Sequence, residues 1–332
     1  MNKETSALAV RYSERGNPLE VTNLESVSLR KPSKDEVLVR MLYAPINPAD
    51  INTLEGTYGE LRSLPDTPGN EGIGIVEAVG PEVEGITVGR HVQVSHRAWC
   101  EGGIWKASEL IPLHKVINLI QGAMLRVNPA SAFCMLKYFH TFAANEWVAQ
   151  NSANSGVGRW VIALSKRWKI PAVHLARRPE TVEKLIAEGA ENVFLDDAEA
   201  VNSVKQLSGK GIFPLALNAV GGESAGRLSK MLGTSGTLVT YGAMSKKSLL
   251  VSNGALIFKD LRYRGFWVHK IVDKMSPADR AAMYHELLDL SNNGIVKIPV
   301  AEVFPLSEVR EALRASMLSA RPGKVLLRLS EN

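Results

Sequence analysis

The run Gln150-Asn151-Ser152-Ala153-Asn154-Ser155-Gly156-Val157-Gly158-Arg159 follows a short apolar stretch, Trp147-Val148-Ala149, and precedes a segment with helical periodicity. A strand, a tight turn holding glycines and a helix together make a phosphate site. Backbone N–H groups at a helix N-terminus point outward, and the helix dipole favours an anion there. Glycine lets the backbone approach a pyrophosphate closely. The dinucleotide fingerprint is incomplete, because Gly156-Val157-Gly158 is present but Val161 stands where a third glycine belongs. Taken alone, the turn reads equally as an ordinary strand-to-helix connection. The second chemical signal is Arg177-Arg178, which stands roughly 20 residues on, where an NAD site carries an acidic residue for the ribose hydroxyls. A guanidinium fork suits a 2′-phosphate instead, at about 1.5–3 kcal/mol per charge-assisted bond. The expected cofactor is therefore NADPH. The competing reading of the pair is a solvated basic loop, against which Pro179 argues by fixing the turn.

Such residues need a platform, and the segments between them supply one. Val157, Trp160, Val161, Leu164 and Trp168 fall at helical spacing on one apolar face. Ala172 to Ala176 reads as a buried strand, Thr181 to Glu188 as a helix stopped by Gly189, and Asn192 to Leu195 as a third strand. Leu215 to Val220 is predicted as a fourth strand, ending in Gly221-Gly222, Thr237 to Gly242 as a fifth and Leu261 to Val268 as a sixth. Alternating strands and helices imply a parallel sheet covered on both faces. Ligands bind such sheets beyond the carboxyl ends of the strands. Those ends are expected at Asn151, Arg177, Val220, Tyr241 and Trp267. Trp267 reads either as the wall of an acyl or nicotinamide pocket or as a core tryptophan.

Composition bounds the remaining classes. A chain of 332 residues with 45% hydrophobic content suggests two domains with ample cores. Cys100 and Cys134 form no CxxC or zinc-ribbon spacing and no disulfide framework, which fits a reducing compartment. Met1-Asn2-Lys3-Glu4-Thr5 leads directly into Ala7-Leu8-Ala9-Val10, without an Arg- and Ser-rich extension, and the chain has no long apolar segment. The expectation is a cytoplasmic protein with no membrane partner. The net charge of +5 suits phosphorylated ligands or an acidic protein. No basic stripe with interleaved aromatics is present, so nucleic acid is not expected.

The first third of the chain differs in kind. Ala7 to Tyr12, Glu36 to Ala44, Gly72 to Val79 and His91 to Val94 read as short strands separated by glycines and prolines. The glycine-rich stretch from Gly69 to Gly80 is not a second nucleotide loop, because no helix is predicted after it. Asn47-Pro48-Ala49-Asp50-Ile51-Asn52, Gly56-Thr57-Tyr58-Gly59 and Gly69-Asn70-Glu71-Gly72 resemble the medium-chain dehydrogenase/reductase superfamily. The turn at Gln150 to Gly158 narrows the resemblance, together with Leu217-Asn218-Ala219-Val220-Gly221-Gly222, Tyr241-Gly242-Ala243-Met244, Leu256 to Leu261 and Arg264-Gly265-Phe266-Trp267. As a set they resemble the mitochondrial-type trans-2-enoyl thioester reductases, over nearly the whole chain.

The resemblance implies an α/β fold in which a GroES-like β-rich catalytic domain, residues 1–131 and 272–332, is split across both termini. A doubly wound Rossmann domain, residues 132–271, lies between the two parts. Zinc-dependent relatives place a histidine beside a glutamate where this chain has Asn70 beside Glu71, and asparagine is a poor zinc ligand. The four-cysteine zinc loop is also missing, and no metal is expected. Reducing a 2-enoyl thioester requires a hydride at the β-carbon, a proton at the α-carbon and hydrogen bonds to the thioester oxygen. The resemblance puts the family's catalytic tyrosine at Tyr58, whose competing reading is a loop tyrosine packed for area. The family's cofactor contacts map onto Asn128, Asn154, Ser155, Gly156, Val157, Arg177, Arg178, Tyr241, Gly242, Ala243, Met244, Phe266, Trp267, Val268, His269 and Lys324. Lys246-Lys247 is read as a solvated pair rather than a contact for carrier phosphates. Two stretches depart from the family: Arg177-Arg178-Pro179 stands where relatives often have Arg-Asp-Arg, and Ser95 to Gly122 matches little beyond Gly103-Ile104-Trp105. The second departure falls where substrate-side contacts are expected.

The resulting expectation is NADPH-dependent reduction of trans-2-enoyl thioesters, carried on coenzyme A or an acyl carrier protein, in fatty-acid synthesis. A homodimer is expected, because edge strands of the Rossmann sheet commonly pair in this superfamily. The alternatives are a zinc-free quinone or alkenal reductase and a non-catalytic NADPH-binding protein.

Overall fold

The computed structural model describes residues 5–209, 211–319 and 321–331. The chain forms two compact units, one of Met1–Val127 with Ser276–Asn332 and the other of Asn128–Met275.

In the unit Asn128–Met275, six parallel strands make one sheet. Across the sheet they run Val193–Leu195, Ala172–Ala176, Glu146–Gln150, Ile212–Asn218, Thr237–Thr240 and Arg262–Gly265. In chain order this is 3-2-1-4-5-6, the doubly wound arrangement, whose direction reverses beside the first strand. The inner strands are buried on both faces, with Ala149, Val173, Leu175, Leu215, Ala216, Leu217, Leu238 and Val239 sealed from solvent. That is why they read as unbroken apolar runs rather than alternations.

The helix Gly156–Arg167 follows the first strand and buries Val157, Trp160, Val161 and Leu164, the stripe expected from spacing. Ser155 caps it by accepting from Gly158 N at 3.0 Å, and Lys166 and Arg167 sit in its last turn, where the dipole favours cations. The helix predicted from Thr181 begins two residues earlier, at Pro179, which occupies the first turn where a missing N–H costs nothing. The fourth strand stops at Asn218 rather than Val220. Asn218 Oδ1 accepts from Val220 N at 3.1 Å and Gly221 N at 3.0 Å, a local turn that competes with the sheet ladder.

In the other unit, the sheet order is Val300–Pro305, Lys324–Arg328, Glu36–Pro45, Gly72–Val79, His91–Val94 and Ile111–Pro112, with Gly102–Lys106 also pairing to Glu36–Pro45. Thr5–Arg11 and Asn23–Leu29 form a separate antiparallel pair. Leu326 and Leu327 lie opposite Pro45 and Ala44, so the strand Lys324–Arg328 joins the sheet built around Glu36–Pro45, far away in sequence. Val39, Met41, Trp99, Trp105, Leu313 and Leu327 belong to its core. Gly74 is required by strand packing: a Cβ there would lie 2.7 Å from Arg40 O. The glycines around Gly72–Val79 thus serve close backbone approach, and no helix follows the strand. Among the described residues, no helix is long and apolar enough to cross a membrane.

Candidate functional site

Buried amides tie the carboxyl ends of the central strands together. Asn151 Nδ2 donates to Asn218 Oδ1 and to Ser224 Oγ, each at 2.8 Å, while Asn151 Oδ1 accepts from Ala219 N at 2.8 Å. Gln150 Nε2 donates to Gly158 O and to His174 Nδ1, both at 2.9 Å. Burial pushes His174 down to about 3. Its ring is therefore neutral at pH 7, with Nδ1 left as an acceptor. Ser224 Oγ in turn donates a hydrogen bond to Asp196 Oδ2, whose Oδ1 accepts from Arg227 Nε at 2.7 Å. The floor beneath the glycine turn is thus a bonded network set before any ligand arrives, with Gln150 Oε1 its one buried oxygen left without a partner among these groups.

The turn above this floor is too close-packed for side chains. A Cβ on Gly158 would lie 2.5 Å from the carbonyls of Ser152 and Ala153, and one on Gly156 would lie 3.0 Å from Asn128 Cγ. Asn128, Ser155, Gly156 and Val157 therefore converge on the first turn of Gly156–Arg167. Apart from the Gly158 N–H taken by Ser155, the first-turn donors have no acceptor within the helix. Two more polar groups end there unmatched. Asn128 Nδ2 is buried without a partner, and so is Tyr241 Oη. Burial raises the Tyr241 phenol above its ordinary range, and the adjacent Ser155 opposes the rise. An unmatched buried donor costs about 1–3 kcal/mol. Two of them beside a helix N-terminus fit a site that a polar anionic ligand completes.

Around this turn lie the other predicted contacts. Arg177 is exposed directly after the strand Ala172–Ala176, with no ion pair among the described residues. Arg178 is half-buried, and its Nε lies 3.9 Å from Glu180. The loop Tyr241-Gly242-Ala243-Met244 lies on the end of the fourth strand: Met244 N donates to Ala219 O at 3.0 Å, and Met244 Sδ accepts from Ser152 Oγ at 3.3 Å. Phe266 meets Phe139 edge-on at 6.0 Å. Trp267, half-buried, meets His269 edge-on at 5.7 Å, with Lys270 Nζ 5.6 Å from its ring. Val268 starts the short helix Val268–Val272 and is buried. Lys246 and Lys247 are exposed.

Tyr58 belongs to the other unit, at the end of the helix Pro48–Glu55. Gly56 terminates that helix with φ +79°, a left-handed conformation that glycine adopts without strain. Asn52 O then accepts from both Thr57 N at 2.8 Å and Tyr58 N at 3.1 Å, which fixes the tyrosine backbone to the helix. The opposite end of the helix is anchored by a buried charged cluster. Asp50 Oδ2 accepts from Asn47 N at 2.7 Å, and Asp50 Oδ1 accepts from Asn70 N at 2.8 Å and Asn70 Nδ2 at 2.7 Å. Glu71 accepts from Asn47 Nδ2 at 2.8 Å, Arg126 N at 3.0 Å and Val127 N at 2.8 Å. Lys324 Nζ donates to Asn47 Oδ1. Burial lifts Asp50 to about 6 against the pull of its N–H donors, lifts Glu71 also, and lowers Lys324 against the pull of both carboxylates.

The structure therefore brings Asn128, Ser155, Gly156 and Tyr241 together in one unit. It places Lys324 in the charged cluster of the unit that carries Tyr58. Asn151, Asn218, Asp50 and Glu71 escaped prediction as functional supports; the only sequence signal was that each lies inside one of the motifs that carry the family resemblance. Asn70 is committed to Asp50 as a donor, and among the described residues no group of three or more His, Cys, Asp or Glu is arranged to hold a metal.

Two family models match the chain, the alcohol dehydrogenase GroES-like domain over residues 33–121 and the zinc-binding dehydrogenase over residues 188–327. A mitochondrial enoyl-[acyl-carrier-protein] reductase of Caenorhabditis elegans is 38% identical over 306 residues, covering 90% of this chain and 88% of the relative. Among solved structures, the complex of Etr1p with NADP and crotonyl-CoA superposes with a TM-score of 0.86 at 26% identity, covering 98% of this chain and 100% of that one. A protein of Bacillus thuringiensis assigned as an NADPH:quinone reductase has a TM-score of 0.89 at 25% identity, covering 98% and 99%. The name of the worm relative overturns the expectation of a cytoplasmic protein. Targeting segments act outside the fold, so the residues that open a chain are a poor guide to its compartment. The split GroES-like and Rossmann architecture and the match to the worm relative establish that the chain belongs to the mitochondrial-type enoyl-[acyl-carrier-protein] reductase family, within the medium-chain dehydrogenase/reductase superfamily.

Proposed function

We propose that the protein reduces trans-2-enoyl thioesters to saturated acyl thioesters with NADPH. The observation that carries the cofactor assignment is the juxtaposition of unmatched polar groups at Asn128 and Tyr241 with the Gly156–Arg167 helix N-terminus. The unpaired Arg177 after the next strand supplies the charge for a 2′-phosphate. NADPH, when bound, supplies a hydride to the β-carbon of the acceptor. The chain's own residues bind its pyrophosphate through the first-turn N–H groups, hold its 2′-phosphate through Arg177 and Arg178, and leave the floor of the site fixed by Asn151 and Gln150.

Tyr58 is the proton donor in this reading. Its Oη protonates the α-carbon, or first hydrogen-bonds the thioester oxygen as charge gathers there. The support is its placement on a helix terminus clamped at both ends, by Gly56 and Asn52 beside the tyrosine and by Asp50 and Glu71 at the far end. The test is NADPH oxidation with a series of trans-2-enoyl-coenzyme A substrates, for the native chain and for Tyr58→Phe. Turnover lost in the variant while NADPH binding persists supports the assignment; full turnover in the variant removes Tyr58 from it.

The likeness to the Bacillus thuringiensis protein favours one second reading, a zinc-free quinone reductase with the same cofactor. Turnover of quinones but of no enoyl thioester would select it. Coenzyme A and an acyl carrier protein are both carriers under the leading reading, and they separate by kcat/KM measured on each. A homodimer is part of the same proposal. The edge strand Arg262–Gly265 is largely exposed, and Leu250, Ile257 and Phe258 beside it in sequence are 60%, 71% and 83% exposed. Sedimentation of the native chain should give twice the monomer mass, and a monomeric mass would reject pairing.

A further inference from the structure

We infer that Arg126 forms an anion-binding subsite in the unit that carries Tyr58, and that its ligand is a carboxylate on the acceptor substrate. The inference rests on the enoyl thioester reading for the identity of the acceptor and on geometry for the subsite itself.

Arg126 is only 6% exposed, and its Nε is buried without a hydrogen-bond partner. Among the described residues its guanidinium makes no hydrogen bond and no ion pair. Its backbone is fixed nonetheless, because Arg126 N donates to Glu71 Oε2 at 3.0 Å and Arg126 O accepts from Tyr284 Oη at 3.4 Å. Glu71 is no counter-ion for it, since its two oxygens are taken by Asn47 Nδ2 and by the backbone N–H groups of Arg126 and Val127. A donor such as this Nε, held out of water with no partner, costs about 1–3 kcal/mol.

The surrounding charges do not relieve it. The ring of His96 senses three cations, Arg62, Arg97 and Arg126, and one acid, Glu109. The acids nearby face other partners: Asp66 lies 2.8 Å from Arg97 and 3.7 Å from Arg62, and Glu109 lies 3.9 Å from His96 Nε2. His96 itself, bonded through Nδ1 to Ser95 Oγ at 2.8 Å, is held down to about 4 by burial and by these arginines. At neutral pH it adds a hydrogen-bonding ring and no charge. One buried cation therefore lacks one anion. A planar fork of N–H donors matches a carboxylate in two parallel bonds. Ser95 and His96 open the stretch from Ser95 to Gly122, where the chain departs from its family and where substrate-side contacts are expected. A carboxylate at the far end of a short enoyl chain is the group that would reach such a subsite.

The test compares two trans-2-enoyl thioesters of N-acetylcysteamine, one ending in a methyl group and its analogue ending in a carboxylate, with both acyl groups also supplied on coenzyme A. The native chain should prefer the carboxylate by about 10- to 100-fold in kcat/KM on either carrier, the range for a charge-assisted pair. Arg126→Gln should abolish the preference and leave the methyl-ended substrate within a few-fold. Arg126→Lys, which keeps the charge without the fork, should keep part of it and serves if the first variant does not fold. A preference for coenzyme A over N-acetylcysteamine that depends on Arg126 would identify a carrier phosphate as the ligand and overturn the carboxylate. Equal loss on all substrates would reduce Arg126 to a structural residue and overturn the subsite. Melting with glutarate separates this inference from the functional reading: an Arg126-dependent rise in Tm without thioester turnover keeps the subsite and rejects the reaction. No rise and no preference reject the subsite.

Discussion

The two units each bury a polar network beneath the residues proposed to act, and the networks are built from opposite materials. Beneath the glycine turn, Asn151, Gln150, Asn218, Ser224 and a neutral His174 interlock almost wholly through uncharged groups. Beneath the Tyr58 helix, Asp50, Glu71 and Lys324 do the equivalent task with two carboxylates and an ammonium. The difference follows from what each must support. A turn that receives a polyanion gains nothing from net negative charge below it, because an unpaired buried carboxylate would repel the ligand; Asp196, at the edge of this floor, is neutralised by Arg227. Neutral amides fix the backbone and leave the field to the helix dipole and to Arg177. The helix carrying Tyr58 has no such constraint, and charge-assisted bonds hold its N-terminus more firmly than neutral ones. The cost is that burial displaces both carboxyls of the second network upward, whereas the one carboxylate of the first, Asp196, is paired with Arg227.

Substitutions can sharpen or break this contrast, beginning with the largest effect. Tyr58→Phe should lower thioester turnover by about 10²–10⁴-fold, the usual contribution of a positioned acid, with the melting temperature nearly unchanged. Steady-state kinetics beside a melting curve checks both halves. Asn151→Ala strips a partner from Asn218, Ser224 and Ala219 N at once; Asn218 Oδ1 and Ser224 Oγ keep other partners, so the cost should be about 1–3 kcal/mol for the one group, Ala219 N, left unmatched. Denaturant unfolding should give the same loss at pH 5 and pH 8; a strong pH dependence would contradict the neutral character assigned to that floor. Arg177→Ala should raise the KM for NADPH by about 10-fold or more and leave that for NADH nearly unmoved, as expected for loss of a charge-assisted bond.

The smallest effect lies in the pH profile of Asp50→Asn. A carboxyl raised in the folded state stabilises the fold fully below its unfolded value of 3.8, and that contribution is lost as pH rises through about 6. Glu71 is displaced in the same direction. Native stability should therefore decline between these values relative to the variant, by about 1–3 kcal/mol, since each tenfold change in proton affinity on folding is worth roughly 1.4 kcal/mol. Parallel profiles for the two proteins would show that the cluster is not ionised as described.

Much of the frame was legible in the residues alone. Strands at Glu36–Pro45, Gly72–Val79, His91–Val94 and Ala172–Ala176 announced themselves by apolar runs between glycines and prolines. The helices Ala200–Ser208 and Asn253–Lys259 did not. The first buries only Ala200, Val201 and Val204 and takes its start from Asp197, whose Oδ1 accepts from Glu199 N and Ala200 N. The second buries none of its residues, so no apolar stripe marked it. The polar supports were invisible for another reason. Asn151 finds Asn218 across 67 positions, and Glu71 finds Arg126 N across 55. Local spacing carries no record of such pairs, because they are decided by which strands and loops become neighbours.

Cys100 and Cys134 offer a use that has nothing to do with the reaction. Each is a free thiol sealed in a core, one in each unit, and burial pushes both up to about 12. At neutral pH neither presents a thiolate, so an alkylating reagent reaches them only when the surrounding unit opens. The chain thus carries one chemical clock per unit. The rate at which each cysteine is labelled, read by peptide mass, reports separately how often the nucleotide-binding unit and the Tyr58 unit unfold, without any engineered probe.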